Sequence, residues 1–418
     1  MKRSFFVFLT ILFLAGCLKD SVTEQYTFYR PVYYTREETK SNIKSSASTA
    51  IVQPGKIVLR DHYLFLNELD KGIHVIDMAN PANPVNLAFI EIPGCVDMAV
   101  NGNYLYADCY KNLVTLDITD PTKVVLKQFL DKVFPERYYP GFSPDSLQII
   151  KEWVKVDTLV NKRFKGSFNF GLKMESMALM SASGLASQSG AAFSSGGISV
   201  AGSLARFGLQ NNRLYTINNN GLKIFNATSP ANPTFVSSTY LQIGTIETIF
   251  PYKNNLFIGG QSGMFIYNAS NPDQPVKTGQ FTHARSCDPV IAEDKYAYVT
   301  LSGGTACGGF TNQLDVVDIT NLNSPSLVKT YNLSSPRGLS KDGNILLICD
   351  GKDGLRIFDA ANASQVALLK QVSGFEPMDV IALQGIAIVI AKDGLYFVDY
   401  SNVANASIIS KIQITKNK

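Results

Sequence analysis

Residues 95 to 133 begin Cys95-Val96-Asp97-Met98-Ala99-Val100 and turn at Asn101-Gly102-Asn103. They continue Tyr104-Leu105-Tyr106-Ala107, turn again at Lys111-Asn112, and run on as Leu113-Val114-Thr115-Leu116-Asp117-Ile118. A break at Thr119-Asp120-Pro121 leads into Val124-Val125-Leu126-Lys127-Gln128-Phe129-Leu130. Short apolar runs bounded by Gly, Asn, Asp and Pro read as strands joined by tight turns. Four such strands follow one another within this stretch, and the pattern recurs along the chain.

The residue that closes the third strand marks the recurrence. It falls at Asp77, Asp117, Asn226, Asn268, Asp318, Asp359 and Asp399, the last a better match than Asn402, in steps of 40, 109, 42, 50, 41 and 40 residues. The long step is one ordinary step plus an insertion, and the step of 50 is one plus a loop. A period of about 40–45 residues with four strands per unit is the signature of a β-propeller. Seven complete units predict an all-β chain of seven four-stranded antiparallel blades, in preference to six or eight. The units span about 55–94, 95–135, 205–244, 245–285, 286–336, 337–374 and 375–415. Which strands close the ring is not legible, although Ile408 to Ile414 gives the last unit an outer strand of its own.

Local chemistry repeats with the period. Gly72, Gly221, Gly263, Gly354 and Gly394 open the third strand, where a tight turn calls for positive φ. The closing Asp or Asn suits a side-chain bond to the backbone of the next turn. Pro81, Pro121, Pro230, Pro272 and Pro325 then stop the strand. These are structural residues, since they recur from unit to unit. The cores Leu113-Val114-Thr115-Leu116-Asp117 and Leu314-Asp315-Val316-Val317-Asp318, with the linker Asn80-Pro81-Ala82-Asn83-Pro84, resemble the LVIVD-repeat lipoproteins of Bacteroidota. The resemblance covers about residues 55 to 415 and the N-terminal signal. It implies a propeller on a lipid anchor and little chemistry.

With 418 residues, 45% apolar and 17% charged, the chain suits one large β domain. A net charge of +4 without a basic run argues against a nucleic-acid partner. Residues 1–16 read as a signal peptide: Lys2 and Arg3, then the apolar run Phe5 to Leu14, too short for a lasting membrane span. Leu14-Ala15-Gly16-Cys17 looks like a bacterial lipobox, which implies cleavage before Cys17 and its acylation. Leu18, not Asp, follows Cys17, so an inner-membrane retention signal is absent and the outer membrane is the expected location, facing the periplasm or the cell surface. Residues 17–54 read as anchor, tether and lead-in. Within them Tyr26 to Tyr34 is aromatic and strand-like, fit for packing or an added edge strand, and Thr39 to Ser48 is polar, as in a linker.

The insertion at about 136–204 has two halves. Trp153 to Val160 alternates, as a protruding hairpin strand does. Ser181 to Ser203 is rich in Ser, Gly and Ala and reads as mobile. Met174, Met177 and Met180 are spaced as a packing stripe on a helical turn.

Once Cys17 is acylated, five thiols remain in an exported protein, where pairs form readily. Cys95 and Cys109 lie symmetrically about Gly102, and Cys287 occupies the unit position of Cys95 with Cys307 as its expected partner. Cys349 is then left over, buried. The spacings do not match redox or zinc motifs. His62, His74 and His283 fall in unrelated strand positions and read as surface or strand residues. Catalytic motifs with a nucleophile elbow, a zinc helix or a phosphate loop do not occur.

One constellation remains. The innermost strand of each unit begins at Lys56, Asp97, Arg206, Glu247, Asp288, Arg337 and Asp379. In a propeller these starts ring one mouth of the central channel. Asp97, Glu247, Asp288 and Asp379 suit a small polar ligand or a cation such as Ca2+. The interleaved bases equally suit a self-neutralising ring, and that reading is preferred. The expected function is a non-catalytic, lipid-anchored binding or scaffold module at the cell envelope, with a protein or glycan partner. The alternative is a hydrolase or lactonase-like propeller with a divalent cation at the mouth.

Overall fold

A computed structural model describes residues 23–135, 149–161, 190–193, 199–203, 205–218, 221–243, 246–283, 289–303 and 311–415. The chain falls into two compact units, residues 1–35 with 138–185, and residues 36–137 with 186–418.

In the larger unit each period of the sequence becomes one antiparallel sheet, and the seven sheets are the seven blades of a propeller. Blade 1 consists of Pro54–Arg60, Tyr63–Glu68, Gly72–Asp77 and Val85–Glu91. Blade 7 consists of Pro377–Leu383, Ile386–Ala391, Gly394–Asp399 and Ser407–Gln413. Second and third strands are buried almost end to end, as in Ile386–Ala391 and Gly394–Asp399, because a neighbouring blade covers each face. They therefore read as continuous apolar runs. Outer strands such as Thr234–Tyr240 are mostly exposed.

The marker residues do what their chemistry allows. Asp77, Asp117, Asn226, Asn268, Asp318, Asp359 and Asp399 each accept, on Oδ1, the backbone N–H two residues on, at 2.7–3.0 Å. The glycine expectation holds in part. Gly72 (φ 150°) and Gly263 (φ 154°) have positive φ, and a Cβ there would also meet the outer-strand carbonyls of Ile90 and Phe281 at 2.0 and 2.3 Å. Gly221 and Gly394 open the same strand without positive φ.

All seven blades carry a β-bulge between the third and outer strands. The extra residue is Leu87, Lys127, Val236, Thr278, Val328, Leu369 or Ile409. A bulge adds twist and interrupts the ladder.

Ring closure exchanges no strand, since blades 1 and 7 are each built from consecutive sequence. The junction is a packed seam in which Ile57, Leu66 and Ile76 meet Ile388, Leu395 and Phe397. The Thr415 N–H donates to Ile51 O at 2.7 Å, and Ser410 Oγ donates to Pro81 O at 2.5 Å across it. Elsewhere Tyr106 and Tyr215 hydroxyls donate to Pro230 O and Pro272 O of the next blade, at 2.9 and 3.0 Å.

Two segments depart from the reading as loose chain. Lys44–Ala47, inside the stretch read as linker, pairs with Val85–Glu91 and extends blade 1 outward. In the Ser/Gly/Ala-rich stretch, Gly190–Phe193 pairs with Ser199–Ser203, which in turn pairs with Pro54–Arg60. These two strands approach the inner strands of blades 2, 4, 5, 6 and 7 as well. A hairpin that touches so many inner strands runs through the central channel.

In the smaller unit, Thr23–Tyr34 and Ile149–Asn161 form a two-stranded antiparallel ribbon, with Pro31 opposite Trp153. The alternating segment of the insertion is thus a strand, and its partner is the aromatic lead-in. The signal peptide 1–16, Cys17 and the methionines at 174, 177 and 180 lie outside the described residues.

Candidate functional site at the channel mouth

The predicted ring residues do sit where inner strands begin. In blades 1, 4 and 6 the start is bulged, at Pro54/Ile57, Ile246/Thr248 and Pro336/Leu339, and the bulge carries Lys56, Glu247 and Arg337. In blade 7 a bulge lies just before Asp379. Bulges commonly re-aim side chains beside sites. Asp288 lies outside the described residues.

Burial here is deep. Lys56, Asp97, Glu247 and Asp379 are 7, 3, 3 and 0% exposed, while Arg206 and Arg337 are half-buried. Four of the seven come together. Lys56 Nζ lies 3.6 Å from Asp97 Oδ2, and the Arg206 backbone N–H donates to that same oxygen at 2.6 Å. The Met98 N–H takes Asp97 Oδ1 at 2.7 Å. Burial pushes the Lys56 ammonium below its usual value, Asp97 and Asp379 work against that shift, and Arg206 adds to it. Asp379 abuts blade 6: a Cβ on Gly338 would lie 2.1 Å from Asp379 Oδ1. The arrangement is an interleaved set of opposite charges, in which a buried ion pair is held by added N–H donors. Among the described residues, no three His, Cys, Asp or Glu side chains gather as a cation-holding group.

A second device was not visible in the sequence. Near the end of the second strand an acid turns back to hold two consecutive amides leading into the inner strand. Glu68 takes the N–H groups of Val52 and Gln53 at 3.0 and 2.8 Å. Asp108 takes those of Val96 and Asp97 at 2.7 and 2.8 Å. Asp350 takes those of Ser334 and Ser335 at 2.9 and 2.7 Å. In blades 1 and 6 the third residue of the Gly-led third strand adds a cationic or imidazole partner. His74 Nε2 is 3.2 Å from Glu68, and Arg356 donates to Asp350 Oδ2 at 2.9 Å. Of the two readings given to it, surface or strand, His74 takes the second: it lies within the strand Gly72–Asp77 and is fully buried. Burial alone would raise the Glu68 carboxyl, but the His74 bond and the two amides outweigh it and hold it below its usual value. The available signal was positional: the acids share one place in the repeat.

The expected Cys95–Cys109 bridge does not form; both are buried and carry no disulfide, and the same holds for Cys349. The hairpin register pairs Met98 with Ala107, so it is centred half a residue past Gly102, and Cys95 and Cys109 are not opposite one another. Cys95 has already left the ladder: its N–H bonds Ile92 O, and its sulfur lies 3.3 Å from Asn67 Nδ2. Cys287 and Cys307 lie outside the described residues.

Comparison with known families matches the LVIVD repeat at residues 55–89, 95–131 and 284–333, which fall on blades 1, 2 and 5. The chain carries LVIVD repeats. No curated protein matches it. Among solved structures, a protein from Lactobacillus plantarum aligns with a TM-score of 0.53 at 11% identity, over 87% of this chain and 97% of that one. The periplasmic gluconolactonase of Pseudomonas aeruginosa aligns with a TM-score of 0.52 at 12% identity, over 86% of this chain and 97% of that one. At such identities the likeness concerns the fold and carries no chemistry.

Proposed function

We propose that the protein is a non-catalytic binding module of the bacterial cell envelope, anchored through acylated Cys17 to the outer membrane, with a protein or glycan as partner. The observation that carries the reading is the hairpin of Gly190–Phe193 and Ser199–Ser203 against the inner strand Pro54–Arg60. With the channel taken up by the chain itself and Asp97 neutralised by Lys56, the outward surfaces and the inserted ribbon are left to meet a partner.

The test replaces residues 138–185 by a short linker, which spares the channel hairpin. Affinity capture from envelope extracts should lose its specific partner while the variant keeps its melting temperature. Undiminished capture would remove the insertion from the interface. The competing reading, a hydrolase with a divalent cation such as Ca2+ at the mouth, predicts stoichiometric metal that is lost in an Asp97→Ala Asp379→Ala variant. Elemental analysis of purified protein separates the two.

A further inference from the structure

At the far end of the channel from Lys56, where the inner strands of blades 4, 5 and 6 finish, lies a pocket of about 280 Å3. Its floor is apolar: Phe250, Ile291 and Tyr298 are buried beneath it, and the half-buried Tyr252 ring is the aromatic surface left open. The Phe250 and Tyr252 rings are 6.4 Å apart and tilted by 36°. One wall is polar and built. Glu293 takes the Tyr298 hydroxyl on Oε1 at 2.8 Å and Lys341 Nζ on Oε2 at 2.8 Å. Lys341 also donates to Gly343 O at 2.7 Å and is 5.6 Å from the Tyr298 ring centroid.

The remaining bonding capacity defines the ligand. Each carboxylate oxygen accepts two bonds and has used one, and the ammonium has three protons and has used two. The wall therefore offers an acceptor and a donor side by side. Its charges cancel: an anion would meet Glu293 and a cation would meet Lys341. A neutral ring with adjacent hydroxyls suits both, one hydroxyl donating to Glu293 and its neighbour accepting from Lys341. The apolar C–H face of such a ring rests on the Tyr252 ring and the apolar floor. The volume is just below the ~300–1,000 Å3 of sites for drug-sized ligands, so it fits a single ring.

We infer that this pocket binds one neutral hexopyranose unit, the tip of a glycan, between the Glu293–Lys341 pair and the Tyr252 ring. The inference rests on the reading of the chain as an envelope binding module and narrows its partner to a sugar.

Titration calorimetry of the full chain with methyl glucoside, galactoside and mannoside, with glucuronate and glucosamine as charged counterparts, tests it. N-acetyltryptophanamide serves as a probe for a protein side chain. One neutral glycoside should bind saturably, with charged forms weaker. Glu293→Gln and Lys341→Met should each weaken it by about tenfold. Ala292→Leu, which fills the space and leaves the polar wall, should abolish it at an unchanged melting temperature. Absence of binding by every neutral glycoside, affinity indifferent to Glu293→Gln, or preference for the tryptophan probe would overturn it. Envelope capture that persists without sugar binding would sink this inference and leave the binding-module reading standing.

Discussion

Asp350 gives the sharpest test of the acid that anchors an inner strand. Its side chain is fully buried, receives the amides of Ser334 and Ser335, and pairs with Arg356, whose side chain is 18% exposed. Asp350→Asn keeps one carbonyl oxygen for an amide. It turns an NH2 toward the guanidinium and removes the charge. Breaking a fully buried pair costs about 3–5 kcal/mol. Arg356 can turn partly to water, so the expected cost is about 2–4 kcal/mol. At about 1.4 kcal/mol per tenfold, the amides of Ser334 and Ser335 should open roughly 30- to 1,000-fold more often. Hydrogen–deuterium exchange at those two amides reads this directly, with blades 3 and 4 as internal reference. Adding Arg356→Met should restore part of the protection, because the stranded charge is gone. A change under about threefold at Ser334 and Ser335, or an equal loss in every blade, would refute the idea that the carboxylate pins this entry locally.

At the closing seam, Phe397→Ala should cost about 3–5 kcal/mol, read as a lower denaturant midpoint; a cost under ~1 kcal/mol would mean the seam carries little of the ring. Burial raises the Tyr106 hydroxyl from 10.0 to about 12. An acid raised in the folded state holds its proton longer than in the unfolded chain, so stability should fall as pH rises from about 10 to 12. The Tyr106→Phe variant should lose that part of the slope in alkaline denaturation, and an unchanged slope would count against it. Burial likewise raises the Cys95 thiol well above its usual value. Cys95, and Cys109 buried beside it, should resist a thiol reagent in the native protein and react only with unfolding; prompt labelling, or a bridge found by mass spectrometry, would contradict the unbridged arrangement.

The period was legible because a blade forces the same few solutions each time. A strand covered on both faces must be apolar throughout, and the turn after it needs an Asp or Asn acceptor, as all seven markers show. The start of each inner strand followed from that register, so Lys56, Asp97, Arg206 and Asp379 could be grouped in advance. What stayed hidden depends on contacts between strands far apart in sequence. Doubly buried strands show no alternation, so nothing marked His74 as an inward residue beside Glu68. Composition misled at Ser199–Ser203 and Lys44–Ala47, because their strand partners, Pro54–Arg60 and Val85–Glu91, lie far off in sequence and backbone pairing leaves no mark on a polar or small-residue stretch. The Cys95–Cys109 expectation failed by half a residue of register, which spacing alone does not fix.

Exposed outer strands have a cost. Among the described residues six of the seven are unpaired ladders, with apolar residues such as Val125, Val276 and Leu327 in water, and a straight rim of that kind would template growth from molecule to molecule. The kink repeated in every rim denies a neighbour more than a few consecutive backbone bonds. Blade 1 shows how little remains on offer, since Lys44–Ala47 occupies only the four positions from Ala88 to Glu91, beyond the kink. The same irregularity that blurs the repeat in sequence thus keeps neighbouring copies apart.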